Sequence, residues 1–263
     1  MIWLLARSES HAAQQAAQDL ADYAQTQGLV VAQLGDGDEP DADDIIVVLG
    51  GDGTLIQAAR RFAARGPRMV AINLGRLGYI SSFAPNQAQD ALRAAASGQL
   101  VEEMRLRLQV NWGDQQASTA LNEALITAGQ PGRICSLALT IDDQPSTTLR
   151  GDGALVATPT GSTAYALSAG GPVVLPGLQA LVVVPVAPHS ISFRPLVLPP
   201  STRLTMTPEE EAWLVLDGQE RLRLDAGTEV TLSGATFPLR LLKPKKHDHL
   251  QILRSKLHWG EWT

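Results

Sequence analysis

Residues 44–54 read DIIVVLGGDGT, and this stretch decides the fold class. The apolar run Ile45–Leu49 predicts a buried strand, because short apolar runs that end at glycines are typical of central strands in parallel sheets. A helical pattern follows Thr54, so the glycines lie where a strand ends and a helix begins. Ligands of α/β proteins bind at junctions of this kind.

The same pattern continues on both sides of this stretch. Strand-like and helix-like segments alternate through the first hundred residues, which predicts a parallel sheet covered by helices. The predicted strands are 2–6, 29–34, 44–49 and 69–74, and the predicted helices are 8–27, 54–65 and 86–97.

After Gly98 the sequence changes to short strand-like segments separated by turn residues, which is typical of two packed β-sheets. We therefore predict an α/β fold joined to a β fold. A Rossmann-like parallel α/β domain is expected at residues 1–98, and a β-rich, sandwich-like domain at residues 99–234. The tail, residues 235–263, contains the helical run HLQILRSKL and is expected to pack back on the first domain.

Composition narrows the function classes. The net charge of −6 argues against a nucleic-acid or membrane-surface binder, since both need a basic face. The sequence contains no apolar run of about 18 residues, so no membrane-spanning segment is expected. Cys135 is the only cysteine, which excludes a disulfide within the chain and fits a reducing compartment such as the cytoplasm.

The basic residues are unevenly distributed. The chain has 17 arginines and four lysines, and every lysine lies at or after Lys243. A phosphate site earlier in the chain must therefore use arginine, backbone amides, helix N-termini or a metal ion. The P-loop pattern GxxxxGK[ST] is absent.

Gly50, Gly51, Gly53 and Thr54 have the composition of a phosphate-binding turn. Glycines lack the Cβ atoms that keep backbone amides away from a phosphate, and a helix N-terminus favours an anion. Asp52 would repel the phosphate unless it holds a metal ion or accepts a proton. The alternative is a tight turn in which Asp52 makes only a local hydrogen bond.

Asn122 and Glu123 lie among apolar residues in the segment STALNEALIT. A buried carboxylate needs a partner, because a lone buried charge is costly. The vicinal hydroxyls of a ribose would be a suitable partner. A structural ion pair, with Arg133 as the candidate, is the alternative.

Residues 150–172 are rich in hydroxyl side chains, and Pro159 and Gly161 predict a fixed loop before a helix. Hydroxyls, amides and one aromatic ring suit a nucleoside with its phosphates. A polar loop with a capped helix is the alternative. The hydroxyl-bearing residues are Thr158, Thr160, Ser162, Thr163, Tyr165 and Ser168.

Other kinds of site are not supported. His189 has no second His or Cys at zinc-ligand spacing, and no G-x-S-x-G segment indicates a hydrolase triad. The first predicted strand lacks the G-x-G-x-x-G that usually follows it in NAD oxidoreductases, so hydride chemistry is not indicated.

Together these segments resemble the NAD kinase family. GGDGT alone is shared with lipid kinases and phosphofructokinases, whereas the TPTGSTAY block together with LNE is far more specific. The motifs occur in the family's order over most of the chain: GGDGT at 50–54, NLGRLGYI at 73–80, LNE at 121–123, RGDGALVATPTGSTAYALSAGGPVV at 150–174, PHSISFRPLVLP at 188–199, DGQ at 217–219 and LRSKLHWG at 253–260.

The resemblance implies transfer of the terminal phosphoryl group of ATP, or of a related donor such as polyphosphate, to the 2′-hydroxyl of NAD's adenosine ribose. It implies Asp52 as the proton acceptor, a divalent cation (usually Mg²⁺) with no assigned protein ligand, and a homodimer or homotetramer. By motif, the NAD contacts are Asp52, Gly53, Asn122, Glu123, Arg133, Arg150, Asp152, Thr163, Ala164, Tyr165, Ala166, Leu167, Ser168, Ala187 and Gln219.

Two other functions stay open on the sequence. A diacylglycerol-type lipid kinase would share GGDGT but would need an apolar substrate cleft. A non-catalytic NAD(H) sensor would bind the dinucleotide and tolerate loss of Asp52. Formation of NADP from ATP, Mg²⁺ and NAD separates the three.

Overall fold

A computed structural model describes residues 1–75, 78–128, 132–246 and 248–260. The chain begins with strands and helices in alternation: β1 (Ile2–Ala6), α1 (His11–Thr26), β2 (Val31–Gln33), β3 (Ile45–Leu49), α2 (Asp52–Phe62), β4 (Arg68–Ile72), α3 (Ala88–Ala96) and β5 (Val101–Arg105). Short strands then dominate: β6 (Leu108–Trp112), β7 (Gln116–Ala120), β8 (Glu123–Thr127), β9 (Cys135–Ile141), β10 (Gln144–Gly151), β11 (Gly153–Ala157), the short α4 (Tyr165–Ser168), β12 (Leu181–Val186), β13 (Leu196–Leu198), β14 (Leu204–Pro208), β15 (Ala212–Leu216), β16 (Glu220–Leu224), β17 (Val230–Gly234), β18 (Leu239–Lys243) and α5 (His249–Leu257).

The chain divides into two compact units. Unit 1 comprises Met1–Met104 and Leu239–Thr263, and unit 2 comprises Arg105–Pro238. The predicted boundaries after residues 98 and 234 lie a few residues too early. The cause is that β5 and β18 are both strands of the first sheet, a long-range pairing that no local pattern reveals. Residues 247 and 261–263 of the predicted tail lie outside the described residues.

Unit 1 is built on a mostly parallel sheet with the strand order β2-β1-β3-β4-β18-β5. Parallel pairing joins β1 to β2 and β3, and joins β4 to β3 and β18. Strand β3 is buried at every position, as its apolar run predicts. Helix α1 starts after Ser10, whose hydroxyl accepts the N–H of Ala13 at 3.2 Å and so caps the helix.

Unit 2 consists of two antiparallel sheets around a common apolar core. Their strand orders are β10-β9-β14-β17-β6-β7 and β13-β12-β11-β8-β15-β16. The core contains side chains from both, such as Leu108 and Leu137 from the first and Ile126 and Leu214 from the second. The predicted α/β plus β-sandwich-like fold is therefore confirmed. No described helix has both the length and the apolar character that a membrane crossing requires.

Strand β11 fixes where the candidate site residues of unit 2 lie. It pairs with β12 on one side and β8 on the other. Ala157, its last residue, is paired with Glu123, and Gly153, its first residue, is paired with Thr127 and Val186. Residues that follow β11 therefore lie near the start of β8, and residues that precede it lie near the ends of β8 and β12.

Candidate active site

Helix α2 begins at Asp52, two residues earlier than predicted, so Asp52 belongs to its first turn. Gly51 is the N-cap and makes no side-chain hydrogen bond. Gly50 lies against Thr54, because a Cβ at position 50 would be 2.8 Å from the Thr54 Cβ. The first N–H groups of a helix have no partner inside it, and exposed glycines here leave an anion room to approach.

The Asp52 carboxylate is held by the segment that follows β4. Its Oδ2 accepts the Tyr79 N–H at 2.8 Å, and its Oδ1 accepts the Ser81 hydroxyl at 2.7 Å and the Ser81 N–H at 3.3 Å. A Cβ at Gly78 would overlap the carboxylate. A carboxylate has about four acceptor positions, so these donors leave it able to accept one further proton donor. Asp52 is thus tied to a distant segment, and the alternative of a purely local hydrogen bond is wrong.

Gly78 and Ser81 were not predicted as site residues. Ser81 is 1% exposed, and its hydroxyl has a partner only because the 78–81 segment folds onto α2. The available signal was the NLGRLGYI motif at 73–80, which contains Gly78 and ends just before Ser81; its residues 76 and 77 lie outside the described residues.

The turn before β8 in unit 2 is braced by a buried carboxylate. Asp217, which is 8% exposed, accepts the backbone N–H groups of Leu121 at 3.0 Å, Asn122 at 2.7 Å and Glu123 at 3.2 Å. Gln219 was predicted as an NAD contact from the DGQ motif, whereas Asp217 was not predicted as a site residue. Asp217 fixes the backbone from which Asn122 and Glu123 project.

Asn122 and Glu123 each present a buried acceptor atom toward which no described residue donates a hydrogen bond: Asn122 Oδ1 and Glu123 Oε2. Burial, and then the nearby Asp217 charge, raise the pKa of Glu123 to about 7. Arg133 is exposed, so the alternative of a buried Glu123–Arg133 ion pair is wrong. Two adjacent acceptors that lack donors suit a ligand with neighbouring hydroxyls.

The loop after β11 uses several of its hydroxyls internally. Thr158 Oγ1 donates to the Leu121 carbonyl at 2.6 Å, and Ser162 Oγ donates to the Pro159 carbonyl at 2.7 Å and accepts the Val174 N–H at 2.9 Å. The expectation that these two hydroxyls face a nucleoside is therefore wrong. Gly161 lies against the Asn122 carbonyl with no space for a Cβ, which holds the loop beside the Asn122–Glu123 turn.

The predicted contacts at residues 163–168 fall into two kinds. Tyr165 is 43% exposed and Ser168 is also exposed, so both side chains are accessible to a ligand. Ala166 is fully buried in an apolar cluster with Leu155 and Val182, and its carbonyl accepts the Gly171 N–H at 2.8 Å. Its predicted contact with NAD stays a prediction.

The structure separates the predicted unit 2 residues into two groups at opposite ends of β11. The first group (Asn122, Glu123, residues 163–168 and Gln219) lies where β11 ends. The second group (Arg133, Arg150, Asp152 and Ala187) lies where β11 begins, since Cys135 at the start of β9 is paired with Gly151. Four strand steps separate these ends, which is about 13 Å.

The second group is compact. The Asp152 N–H donates to the Val186 carbonyl at 3.0 Å, and the Asp152 carbonyl accepts the Thr127 hydroxyl at 2.8 Å. A Cβ at Gly151 would lie 2.8 Å from the Ala187 carbonyl, so glycine lets these strands approach. The side chains of Arg150 and Asp152 are exposed there, with the Ala187 backbone beside them.

The described residues contain no group of three or more His, Cys, Asp or Glu side chains that could hold a metal ion. Magnesium is commonly bound through one or two carboxylates together with substrate phosphates. Asp52, beside a turn suited to phosphate, fits this mode of binding. A cage made by protein side chains alone is not built among these residues.

Comparison with known proteins adds family membership to this geometry. The ATP-NAD kinase N-terminal domain family matches residues 5–100, and the ATP-NAD kinase C-terminal domain family matches residues 121–243. The chain belongs to the ATP-NAD kinase family. The NAD kinase of Thiobacillus denitrificans is 41% identical over 224 residues, which are 83% of this chain and 77% of the relative. The NAD kinase of Geobacter metallireducens is 38% identical over 229 residues, 84% and 81% of the two chains.

Solved structures of NAD kinases have the same fold. An Archaeoglobus fulgidus NAD kinase in complex with ATP is 27% identical, with a TM-score of 0.81 over 98% of this chain and 99% of that one. Yeast NADH kinase complexed with NADH has a TM-score of 0.90 over 100% and 88% of the two chains at 24% identity, a likeness of fold. This ATP-NAD kinase family member is therefore an enzyme that phosphorylates NAD, as predicted. Nothing in the comparisons favours a lipid kinase or an NAD(H) sensor.

Proposed function

We propose that this NAD kinase transfers the terminal phosphoryl group of ATP to the 2′-hydroxyl of NAD's adenosine ribose, giving NADP and ADP. The observation that carries the proposal is the placement of Asp52. Asp52 lies in the first turn of α2, the turn that suits a phosphate, and hydrogen-bond donors of residues 79–81 hold its carboxylate there. ATP as donor is supported by the Archaeoglobus fulgidus relative, whose structure contains ATP.

NAD is proposed to bind through the two groups of unit 2. Asn122 and Glu123 would accept hydrogen bonds from ribose hydroxyls, because their buried acceptor atoms have no donor among the described residues. Thr163–Ser168 and Gln219 would contact the same end of the dinucleotide. Arg133, Arg150, Asp152 and Ala187 would contact a part of the ligand about 13 Å away along β11.

Asp52 is proposed to act as the general base. As the 2′-oxygen bonds to the γ-phosphorus of ATP, its proton moves to the Asp52 carboxylate, and the bond between the γ-phosphorus and the bridging oxygen breaks to release ADP. Proton transfer of this kind contributes about 10²–10⁴-fold. In-line positioning and charge neutralisation supply most of the remaining rate.

A divalent cation, Mg²⁺ in the first place, is proposed to arrive with the donor phosphates and to lie near Asp52. When bound, it would neutralise charge on the transferring phosphoryl group. No lysine precedes Lys243, so a metal ion would share that task with arginines and backbone amides. In unit 1 the Lys243 ammonium donates to Glu103 and lies 3.1 Å from the His249 ring.

The proposed assembly is a homodimer or homotetramer. Strand β13 lies at the edge of its sheet and exposes Leu196 and Val197, 45% and 52%, and Ile191 nearby is 85% exposed. Apolar side chains on an exposed sheet edge favour association with a partner. Light scattering across a dilution series measures the oligomer size.

A cytoplasmic location is proposed from the single cysteine, Cys135, which is buried.

The proposed reaction is tested by supplying ATP, Mg²⁺, NAD and diacylglycerol together. We expect a new phosphomonoester on NAD alone. A ³¹P–¹H correlation to the 2′ proton should place it on the 2′-oxygen of the adenosine ribose. Phosphorylated diacylglycerol without NADP would contradict the proposal. A phosphate on the 3′-hydroxyl or on the nicotinamide ribose would remove the assigned role of Asp52.

A further inference from the structure

Arg107 is a buried charge that the site described above does not use. It is 2% exposed and directly precedes β6. Removing an ionised side chain from water is costly unless a group of opposite charge compensates. Arginine also keeps its proton when it is buried, because its ordinary pKa is very high. A fully buried arginine therefore indicates a negative group nearby.

The backbone and side chain of Arg107 are fixed beside the segment that leads into the turn before β8. The Arg107 carbonyl accepts the Ala235 N–H at 2.8 Å. The next residue, Leu108, is paired with Ala120 at the end of β7. The Arg107 Nη2 donates to Thr119 Oγ1 at 2.5 Å. The guanidinium is thus held at the residues that immediately precede the turn.

The turn before β8 depends on an ionised carboxylate at Asp217. The two oxygens of Asp217 accept the backbone N–H groups of Leu121, Asn122 and Glu123. The Asp217 N–H in turn donates to the Glu123 carbonyl at 2.9 Å. An ionised carboxylate only accepts hydrogen bonds, whereas a protonated one gives up part of this capacity to its own O–H. Loss of the Asp217 charge would therefore loosen the turn.

Electrostatic attraction links Arg107 to this carboxylate. Burial lowers the pKa of Arg107 to about 10, and the negative charge of Asp217 opposes that decrease. Arg107 therefore stays charged at neutral pH. Because the attraction between two charges acts equally on both, the guanidinium stabilises the ionised form of Asp217 in return.

A second buried arginine reaches the loop beside the same turn. Arg105 is 1% exposed, and its Nη1 donates to Thr160 Oγ1 at 3.4 Å in the loop after β11. Strands β6, β11 and β15, which pack against β8, contain no Asp, Glu, His, Lys or Arg. Charge reaches this end of β8 from residues that flank the strands, as Arg107 and Asp217 do.

We propose that Arg107 is a positioning residue for NAD: its buried cation keeps Asp217 ionised, and Asp217 then holds the turn that presents Asn122 and Glu123 to ribose hydroxyls. This inference rests on the proposed function, because it assigns those two acceptors to NAD. It predicts a loss of NAD affinity while the rate of the chemical step is preserved, since Arg107 acts through the turn and not on the reacting atoms.

The test removes the charge of Arg107 but keeps a side chain that can donate to Thr119. Arg107→Gln should raise Kd for NAD, measured by calorimetry, about tenfold or more, with kcat at saturating NAD within about twofold of wild type. Arg203→Gln, which removes an exposed arginine of unit 2, is the matched control and should change neither constant. A decrease in kcat with an unchanged Kd would overturn the inference.

Arg107→Lys tests whether the charge itself is responsible, and it carries the test alone if Arg107→Gln fails to fold. A buried lysine loses its proton more readily than a buried arginine. The variant's Kd for NAD should be within about threefold of wild type at pH 6.5 and exceed it about tenfold at pH 9, each compared with wild type at the same pH. An equal deficit at both pH values would indicate a packing defect and overturn the inference.

Hydrogen exchange examines the turn without NAD and so separates this inference from the proposed function. The amides of Leu121, Asn122 and Glu123 should exchange about tenfold faster or more in Arg107→Gln, because Asp217 holds them less firmly. The amides of β9 should exchange at the wild-type rate. Wild-type enzyme that binds no NAD would refute the proposed function alone. Wild-type exchange rates at the turn in the folded variant would overturn the role of Arg107.

Discussion

Two carboxylates, one in each unit, show opposite ways of preparing an acidic side chain for a substrate. Asp52 is surrounded by donors that the protein itself supplies, from Tyr79 and Ser81. Glu123 is buried, and its Oε2 receives no hydrogen bond from the described part of the chain. The first carboxylate is held in place before any ligand arrives, whereas the second lacks donors that a ligand can bring.

The difference follows from what each group is proposed to do. A proton acceptor must keep its charge and its position, and hydrogen bonds from fixed backbone N–H groups provide both. A buried acceptor without a hydrogen-bond donor destabilises the free protein. A ligand that donates a hydrogen bond to it removes this cost, so the contact contributes more to binding.

Removal of divalent cations should have the largest effect. Activity in excess EDTA should fall to background and return on addition of Mg²⁺, because neither Asp52 nor the Gly50–Thr54 turn can neutralise a triphosphate. Calorimetry should meanwhile show NAD binding that is little changed by EDTA. Undiminished turnover in EDTA would show that the unit 1 site works without a metal ion.

Asp52→Asn should lower kcat by about 10²–10⁴-fold and leave KM for NAD nearly unchanged, since the loss is confined to the transition state. The variant should also lose about 1–3 kcal/mol of stability, because an amide group replaces one acceptor facing the donors of residues 79–81. Activity and chemical denaturation are both measured. Near wild-type turnover by a folded variant would remove Asp52 from the role of base.

Glu123→Gln should change how stability depends on pH. Burial raises the pKa of Glu123 from 4.5 to about 7, so between these values the folded protein holds a proton that the unfolded chain has lost. Stability should therefore decline as the pH rises through this window, by about 3 kcal/mol in full. The Glu123→Gln variant should lack this decline.

The measurement for Glu123 is urea unfolding at pH 5 and pH 7.5. Glu229→Gln, at an exposed position, is the control and should retain the wild-type pH dependence. If Glu123→Gln and wild type respond identically to pH, Glu123 is solvated or has found a donor, and the contrast with Asp52 disappears.

Ser81→Ala should have the smallest effect, a decrease in kcat of about tenfold with KM for NAD unchanged, because one of the donors to Asp52 is lost. Ser82→Ala is the matched control, since the neighbouring Ser82 hydroxyl is buried with no partner among the described residues. Equal effects of the two substitutions would assign Ser81 a packing role. A rise in KM for NAD without a change in kcat would also assign Ser81 a packing role.

Local patterns predicted most of the first unit. The helical segment HLQILRSKL gave α5 with its observed bounds, and the strand predicted at 44–49 matches β3 to within one residue. Helix α2 starts at Asp52, earlier than predicted. Asp52 and Gly53 have low helix propensity, so the sequence pattern did not include them, but the turn geometry places them in the helix. Strands β5 and β18 were missed because their pairing depends on residues far away in sequence.

The candidate site was predictable by residue type and less so by role. The types and positions of Asp52, Asn122 and Glu123 pointed to phosphate and hydroxyl chemistry. The donors to Asp52, and the Asp217 carboxylate that holds the turn before β8, come from segments 27 or more residues away. The pattern of side chains along the sequence does not predict such long-range contacts. The hydroxyls of Thr158 and Ser162 misled because each donates to a backbone carbonyl, a partner that residue type does not reveal.

The return of the chain to its first sheet at β18 has a consequence for the order of assembly during synthesis. Unit 2 is one continuous segment and can fold as soon as Arg105–Pro238 has been made. Strand β4 lacks one of its two neighbours until Leu239–Lys243 emerges, so the sheet begun by the N-terminus is completed late. Domains usually fold in the order of translation, whereas here the half that is started first is finished last. A nascent chain stopped before Leu239 should therefore resist proteolysis in unit 2 while unit 1 is still cleaved.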